Sequence, residues 1–241
     1  PTQPIPKLFD LSSLKVVKKE NEKSETIGKV RITYDKNGKY YGRCNKGKKN
    51  GRGELILPNN DKYVGKFEND VFSGKGVYTW ANGDLYEGDF KAGKMEGNAC
   101  VTFNNGDVYE GGIKDGKKDG PGVYISKKLE SVYNGMFSKD KCTGEGVWEN
   151  KYFRFDGKFK DDKRDGKGVE IYKIEAYKMN NPPVEFVGEF KDGERNGKGM
   201  KRWKDGLQYE GNFVKGKKEG LGKMIWQTSD GLLGSKIFVT S

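Results

Sequence analysis

The chain has 241 residues, 33% hydrophobic and 34% charged, and its 46 Lys and Arg against 35 Asp and Glu leave a net charge of +11. So small an apolar share sits near the disordered class and argues against a thick globular core, so any order must come from where the apolar residues are placed. The absence of histidine excludes Ser-His-Asp and Cys-His catalysis, His-containing zinc sites and imidazole pH switching.

Residues 1–27 come first. Pro1-Thr2-Gln3-Pro4-Ile5-Pro6 is neither a charged n-region nor an apolar h-region, so no signal peptide is evident. A start at Pro1 is compatible with removal of an initiator Met. An apolar run (Leu8, Phe9, Leu11, Leu14, Val16, Val17) precedes the charged Lys18-Lys19-Glu20-Asn21-Glu22-Lys23. Three readings stay open: a strap on the chain's own sheet, an anchor for a partner, or a flexible tail. Residues 28–39 then give half a unit, Gly28, Val30, Ile32, Tyr34 and Asn37-Gly38, which suits a cap.

From Tyr40 to about residue 231 one pattern repeats. Unit starts fall at Tyr40, Tyr63, Tyr86, Tyr109, Tyr133, Phe155, Phe186 and Tyr209, so the period is 23 residues, with one long interval between Phe155 and Phe186. That interval holds an insertion at 173–183, ending in Pro182-Pro183, which reads as a partner-specific loop. A fixed period of this size marks an array of supersecondary units, and arrays present surfaces rather than enclose reaction chambers. Residues 232–241, with Leu232-Leu233 and Ile237-Phe238-Val239, read as a final short strand or a hydrophobic plug over the open sheet end.

Each unit reads as a β-hairpin. Tyr63, Gly65 and Phe67 lie at i, i+2 and i+4 on one face of a first strand; Gly74, Gly76, Tyr78 and Trp80 share a face of the second. Turns such as Ala92-Gly93 and Asn82-Gly83 supply the positive φ that tight hairpins need. The expected fold is all-β: an elongated single-layer antiparallel sheet of about eight tandem hairpins. Glycine inside a strand normally weakens it. Here an aromatic ring from the neighbouring strand is expected to cover the bare backbone, where any Cβ would collide, a device that fixes register. For each ring this structural role outweighs a partner-binding one.

Basic residues cluster near turns, as in Lys114-Asp115-Gly116-Lys117-Lys118, but acidic residues interleave and no dense basic block forms. A solvated rim is favoured over an acid-binding surface. Cys44, Cys100 and Cys142 fall at different positions of their units and form no Cys-x-x-Cys pair, which suggests free thiols in a reducing compartment. No apolar stretch approaches the roughly 20 residues of a membrane span. Gly74-Lys75-Gly76 and its counterparts open strands, not helices, and lack a Gly-Lys-Ser/Thr ending, so nucleotide binding is not expected. Nor is nucleic-acid binding, because the rings keep fixed slots while the lysines vary in position. No catalytic residue, cofactor or metal site is assigned, and the chain reads as a non-enzyme.

The unit Tyr86-Glu87-Gly88-Asp89-Phe90-Lys91-Ala92-Gly93-Lys94-Met95-Glu96-Gly97, with its counterparts from Phe186 and Tyr209, resembles the MORN repeat (membrane occupation and recognition nexus). The resemblance spans about residues 28–231. Cys44 and Ile113 replace the second aromatic of their units, and Ser126 and Asn150 the late one, which puts continuity of a groove in doubt there. The resemblance implies a rod-like or gently curved array whose aromatic face lines a groove, and a scaffold or adaptor in a cytoskeletal assembly such as an axoneme. The unpaired cysteines and the lack of an evident signal peptide or membrane span read as a cytoplasmic protein, not a secreted one. The resemblance implies an extended or helical partner segment in the groove, along Tyr63, Phe67, Trp80, Tyr86, Phe90, Phe103, Tyr109, Trp203, Tyr209, Phe213 and Trp226. Self-association through the array ends is also implied. An alternative is a peripheral membrane module that meets acidic phospholipid through Lys48, Lys49, Lys117, Lys118, Lys217 and Lys218. A third reading is the accessory array of a larger enzyme.

Overall fold

A computed structural model describes residues 2–21, 27–173, 183–228 and 231–240. Among these there is no α-helix, and nineteen strands form one antiparallel sheet in which strands adjacent in sequence pair. The insertion expected at 173–183 falls almost wholly outside the described residues. Contacts divide the chain into two compact units, residues 3–124 and residues 125–241 with residues 1–2.

The N-terminal unit contains β1 (Val16–Asn21), β2 (Ile27–Tyr34), β3 (Lys39–Asn45), β4 (Lys48–Ile56), β5 (Lys62–Glu68), β6 (Val71–Thr79), β7 (Leu85–Lys91), β8 (Lys94–Thr102), β9 (Val108–Lys114) and most of β10 (Lys117–Ser126). The C-terminal unit contains β11 (Ser131–Ser138), β12 (Lys141–Glu149), β13 (Phe153–Lys160), β14 (Lys163–Tyr172), β15 (Glu185–Lys191), β16 (Glu194–Arg202), β17 (Gln208–Val214), β18 (Lys217–Gln227) and β19 (Leu233–Thr240).

The first aromatic of every repeat is buried, and Tyr40, Tyr63, Tyr86, Tyr109, Phe155, Phe186 and Tyr209 are 0% exposed. Where the repeat keeps its second aromatic the two rings pack edge-on, and Tyr40, Tyr63, Tyr133, Phe155 and Phe186 also meet the second aromatic of the next repeat edge-on. Tyr63 meets Phe67 and Phe90 at 5.1 Å between centroids, and Phe186 meets Phe190 at 5.4 Å and Phe213 at 5.0 Å. Each such pair adds about 0.5–1.5 kcal/mol beyond burial. Each unit thus carries its core as a stripe of interlocked rings on one face of its strands.

The two glycines of each Gly-x-Gly have different causes. Gly65 pairs with Gly76, then the register slips so that Lys66 pairs with Ser73. Gly74 sits in the resulting bulge at φ +61°, a conformation that L side chains rarely adopt. Gly76 is the covered one: a Cβ there would lie 2.6 Å from Cε2 and from the hydroxyl oxygen of Tyr63. The expected cover from a neighbouring strand is correct for Gly76 and incomplete for Gly65, which lies under the same Tyr63 ring of its own strand. One ring therefore shields a cross-strand pair of glycines. Its hydroxyl donates to the Lys66 carbonyl at the bulge, 2.9 Å away, and Tyr86 repeats this with Asp89 at 2.7 Å.

Within the N-terminal extension, for which a strap, an anchor and a flexible tail stayed open, residues 16–21 form β1 and pair with β2. The C-terminal residues form β19 rather than a plug. Leu233, Ile237 and Val239 are 68–80% exposed along it. Cys44, Cys100 and Cys142 are free thiols.

Candidate functional site

Besides the opening and the second aromatic, three slots of each repeat face the aromatic side: the residues nine, fifteen and seventeen positions after the opening aromatic. In the N-terminal unit slots fifteen and seventeen hold Leu55 and Leu57, Tyr78 and Trp80, Val101 and Phe103, and Tyr124 ends the series in slot fifteen, all buried. Part of that burial comes from the chain's own start. Ile5 is buried, and Leu8 and Phe9 are half-buried. The backbone of this segment is held by side chains of the sheet. Trp80 Nε1 donates to the Lys7 carbonyl at 2.9 Å, and Lys118 Nζ to the Gln3 carbonyl at 2.5 Å. The Phe9 N–H donates to the Tyr78 hydroxyl at 3.2 Å, and the Gln3 N–H to the Tyr124 hydroxyl at 3.1 Å. This face therefore receives an extended, proline-containing chain through carbonyl and amide contacts that do not depend on that chain's side chains.

The two tyrosines are themselves fixed by buried carboxylates. Tyr78 donates to Asp61 and Tyr124 to Asp107, each at 2.6 Å. Asp61 also accepts from the Ala81 N–H at 2.8 Å, and Asp84 from the Asn104 N–H at 2.7 Å, so each aspartate joins its repeat to the next. Burial raises the Tyr78 hydroxyl pKa first, and the Asp61 carboxylate raises it further. Sequence reasoning missed these aspartates, although Asn59-Asn60-Asp61, Asn82-Gly83-Asp84 and Asn105-Gly106-Asp107 recur at the repeat period.

In the C-terminal unit the same slots carry different chemistry. Slot nine holds Cys142, Arg164, Arg195 and Lys218; slot fifteen holds Trp148, Glu170, Lys201 and Met224; slot seventeen holds Asn150, Tyr172, Trp203 and Trp226. Glu170 is 4% exposed and pairs with both Arg164 and Arg195, the latter at 2.5 Å. Tyr172, beside that carboxylate, has its hydroxyl pushed up to about 12, chiefly by burial. Lys201 and Lys218 place their ammonium groups 5.5 and 5.2 Å from the Trp203 ring, and Lys218 lies 4.4 Å from the Tyr209 ring. Burial lowers the pKa of both lysines, Lys201 to about 8 with Arg195 and Lys218 adding repulsion. Trp148 and Trp203 stay half-buried and Trp226 is 37% exposed.

The partner-facing residues expected from sequence thus fall into two sets. Tyr63, Phe67, Trp80, Tyr86, Phe90, Phe103, Tyr109, Tyr209 and Phe213 are buried, at most 6% exposed. Trp203 and Trp226 keep accessible surface. In the lysine pairs, Lys48, Lys117 and Lys217 are exposed, whereas Lys49 and Lys118 are buried and Lys218 is half-buried on the aromatic face. Lys49 donates to the Tyr34 hydroxyl at 3.0 Å and pairs with Asp70 at 3.2 Å. The expectation that lysines vary in position therefore needs correction, because Lys49, Lys118 and Lys218 share slot nine. Arg164, Arg195, Glu170 and Lys201 were missed; counting nine and fifteen residues from each opening aromatic would have found them.

Among the described residues no group of three or more Cys, Asp or Glu could hold a metal ion, and no helix is long and apolar enough to cross a membrane. A family model described as the MORN repeat matches residues 37–62, 63–85, 86–108, 109–128, 133–149, 155–174, 186–208 and 209–231. A search of curated proteins gave no match. Among solved structures, one similar chain is the SAS-4 (dCPAP) TCP domain of Drosophila melanogaster in complex with a proline-rich motif of Ana2 (dSTIL). It is 14% identical with a TM-score of 0.39, over 70% of this chain and 90% of that one. A streptogramin B lyase aligns at 9% identity and a TM-score of 0.15, over 95% of this chain and 88% of that one.

Proposed function

This chain belongs to the MORN-repeat family, and we propose that it is a non-catalytic adaptor whose C-terminal unit takes an extended segment of a partner protein along its aromatic face. The observation that carries this reading is the contrast between equivalent slots. In residues 3–124, Trp80, Tyr78, Tyr124 and Lys118 hold an extended segment by its backbone. In residues 125–241 the indoles of Trp148, Trp203 and Trp226 have no hydrogen-bond partner among the described residues and remain accessible. The deeper rings, Tyr209 and Phe213 among them, hold the platform rigid, and the partner meets Trp203 and Trp226. Family membership supports placing the assembly in the cytoskeleton, the axoneme included.

A photo-crosslinking residue at Trp226, compared with one at Val187 on the opposite face, tests this in cells. The reading expects a protein adduct from Trp226 and none from Val187. Equal adducts from both faces, or none from either, would contradict it. The phospholipid reading rests on the exposed Lys48, Lys117 and Lys217. It requires cosedimentation with phosphatidylserine vesicles that weakens as salt rises.

A further inference from the structure

We infer that the C-terminal unit selects an acidic extended peptide, with a carboxylate of that peptide held between Lys201 and Lys218 above the Trp203 ring and its backbone on the Trp203 indole N–H. This rests on the adaptor reading and specifies the chemistry of its partner.

Three observations carry it. First, charge is unbalanced at this point of the face. Glu170 is the buried carboxylate nearby, and Arg164 and Arg195 already claim it. Lys201 and Lys218 have neither a hydrogen bond nor an ion pair among the described residues, and Arg195 and Lys218 each repel Lys201 more than Glu170 attracts it. Second, the equivalent slot of the N-terminal unit shows what such a lysine does when the face is occupied. Lys118, also in slot nine and also packed over rings, gives its ammonium to the Gln3 carbonyl of the docked segment. Lys218 is the same device without an acceptor. Third, the indole donors match. Trp80 Nε1 binds the Lys7 carbonyl, and half-buried Trp203 holds the same slot, whereas the Trp226 indole lies over Gly234 of β19.

The anion is peptide-borne because of where the amines sit. Both are half-buried over an aromatic ring, where a narrow extended chain reaches them, as residues 3–9 reach Lys118 and Trp80. A flat membrane would meet Lys217 and its exposed neighbours first. The cost of burial that lowers both lysine pKa values is offset by the attraction of an arriving carboxylate, so binding favours the charged form.

The test uses the full chain and a fluorescein-labelled peptide that alternates glutamate with proline and leucine, followed by anisotropy. A second peptide replaces each glutamate by glutamine. Lys201→Gln and Lys218→Gln each should weaken the glutamate peptide about tenfold or more, as loss of a charge-assisted bond implies. Trp203→Phe keeps an aromatic ring, though a smaller one, and removes the N–H, and should weaken both peptides by several-fold. Circular dichroism and melting confirm that each variant folds. Equal affinity for the two peptides, or unchanged affinity in both lysine variants, overturns the carboxylate site and leaves the adaptor reading to the crosslinking result. No binding of either peptide overturns the inference as well. So does binding to phosphatidylserine vesicles that depends on Lys201 and Lys218 while the glutamate peptide fails to bind.

Discussion

Gly76→Ala probes the packing rule from which the rest of the structure is built. The new methyl group would stand 2.6 Å from Cε2 of Tyr63, whereas ordinary contact begins at 3.4 Å, so the ring must retreat by 3.4 − 2.6, or about 0.8 Å. It has nowhere to go. Phe72 stacks on it at 3.9 Å between centroids, and Phe67 and Phe90 stand edge-on at 5.1 Å. Overpacking of this kind costs about 1–3 kcal/mol. Against this, alanine restricts the unfolded chain and recovers roughly 0.5–1 kcal/mol, since Gly76 needs no positive φ. The net expectation is a loss of about 1–2 kcal/mol from residues 3–124. It is measured by amide exchange of β5 and β6 as urea is raised, which reports on that unit separately. In a Tyr63→Leu background the obstacle is gone, so the same change should become neutral or stabilising, a coupling of about 2 kcal/mol. Neutrality of Gly76→Ala with Tyr63 present would refute the reasoning.

Glu170→Gln leaves Arg164 and Arg195 without their shared carboxylate; the C-terminal unit should lose about 2–4 kcal/mol while exchange of β5 and β6 stays unchanged. Lys201 has its folded pKa lowered to about 8, below its ordinary unfolded value. The unfolded state therefore binds more protons between about pH 8 and pH 10.5, and stability should rise with pH across that window. Lys201→Met should flatten this rise and raise the melting temperature at pH 7, which calorimetry at several pH values checks. Tyr78→Phe removes the acceptor of the Phe9 N–H, so exchange at that amide should accelerate at least several-fold while β6 keeps its protection.

The array was legible because its slots repeat. Eight unit starts, the one-face alternation of Tyr63, Gly65 and Phe67, and the turn glycines are local signals that agree with one another. The divided labour within Gly74-Lys75-Gly76 was not legible. Both glycines look alike in sequence, and only the register slip after Gly65 separates a bulge from a covered strand position. Residues 3–9 have no period, so nothing in them fixes where they dock; the partners are Trp80, Tyr78, Tyr124 and Lys118, which lie in two separate repeats. Cations at slot nine were obscured because Lys48-Lys49, Lys117-Lys118 and Lys217-Lys218 read as solvated pairs. Strand alternation sends one lysine of each pair outward and the other onto the rings.

Four tryptophans allow the contrast between the occupied and the accessible face to be measured in one spectrum. Each indole N–H gives its own NMR resonance, and its exchange with solvent reports whether the donor is engaged. Trp80, bonded to the Lys7 carbonyl and buried, should exchange slowly, and Trp148, Trp203 and Trp226 should exchange fast. Four equally fast resonances would mean that residues 3–9 do not hold the N-terminal face. Slow exchange at Trp203 and Trp226 would mean that the C-terminal face is not open to a partner.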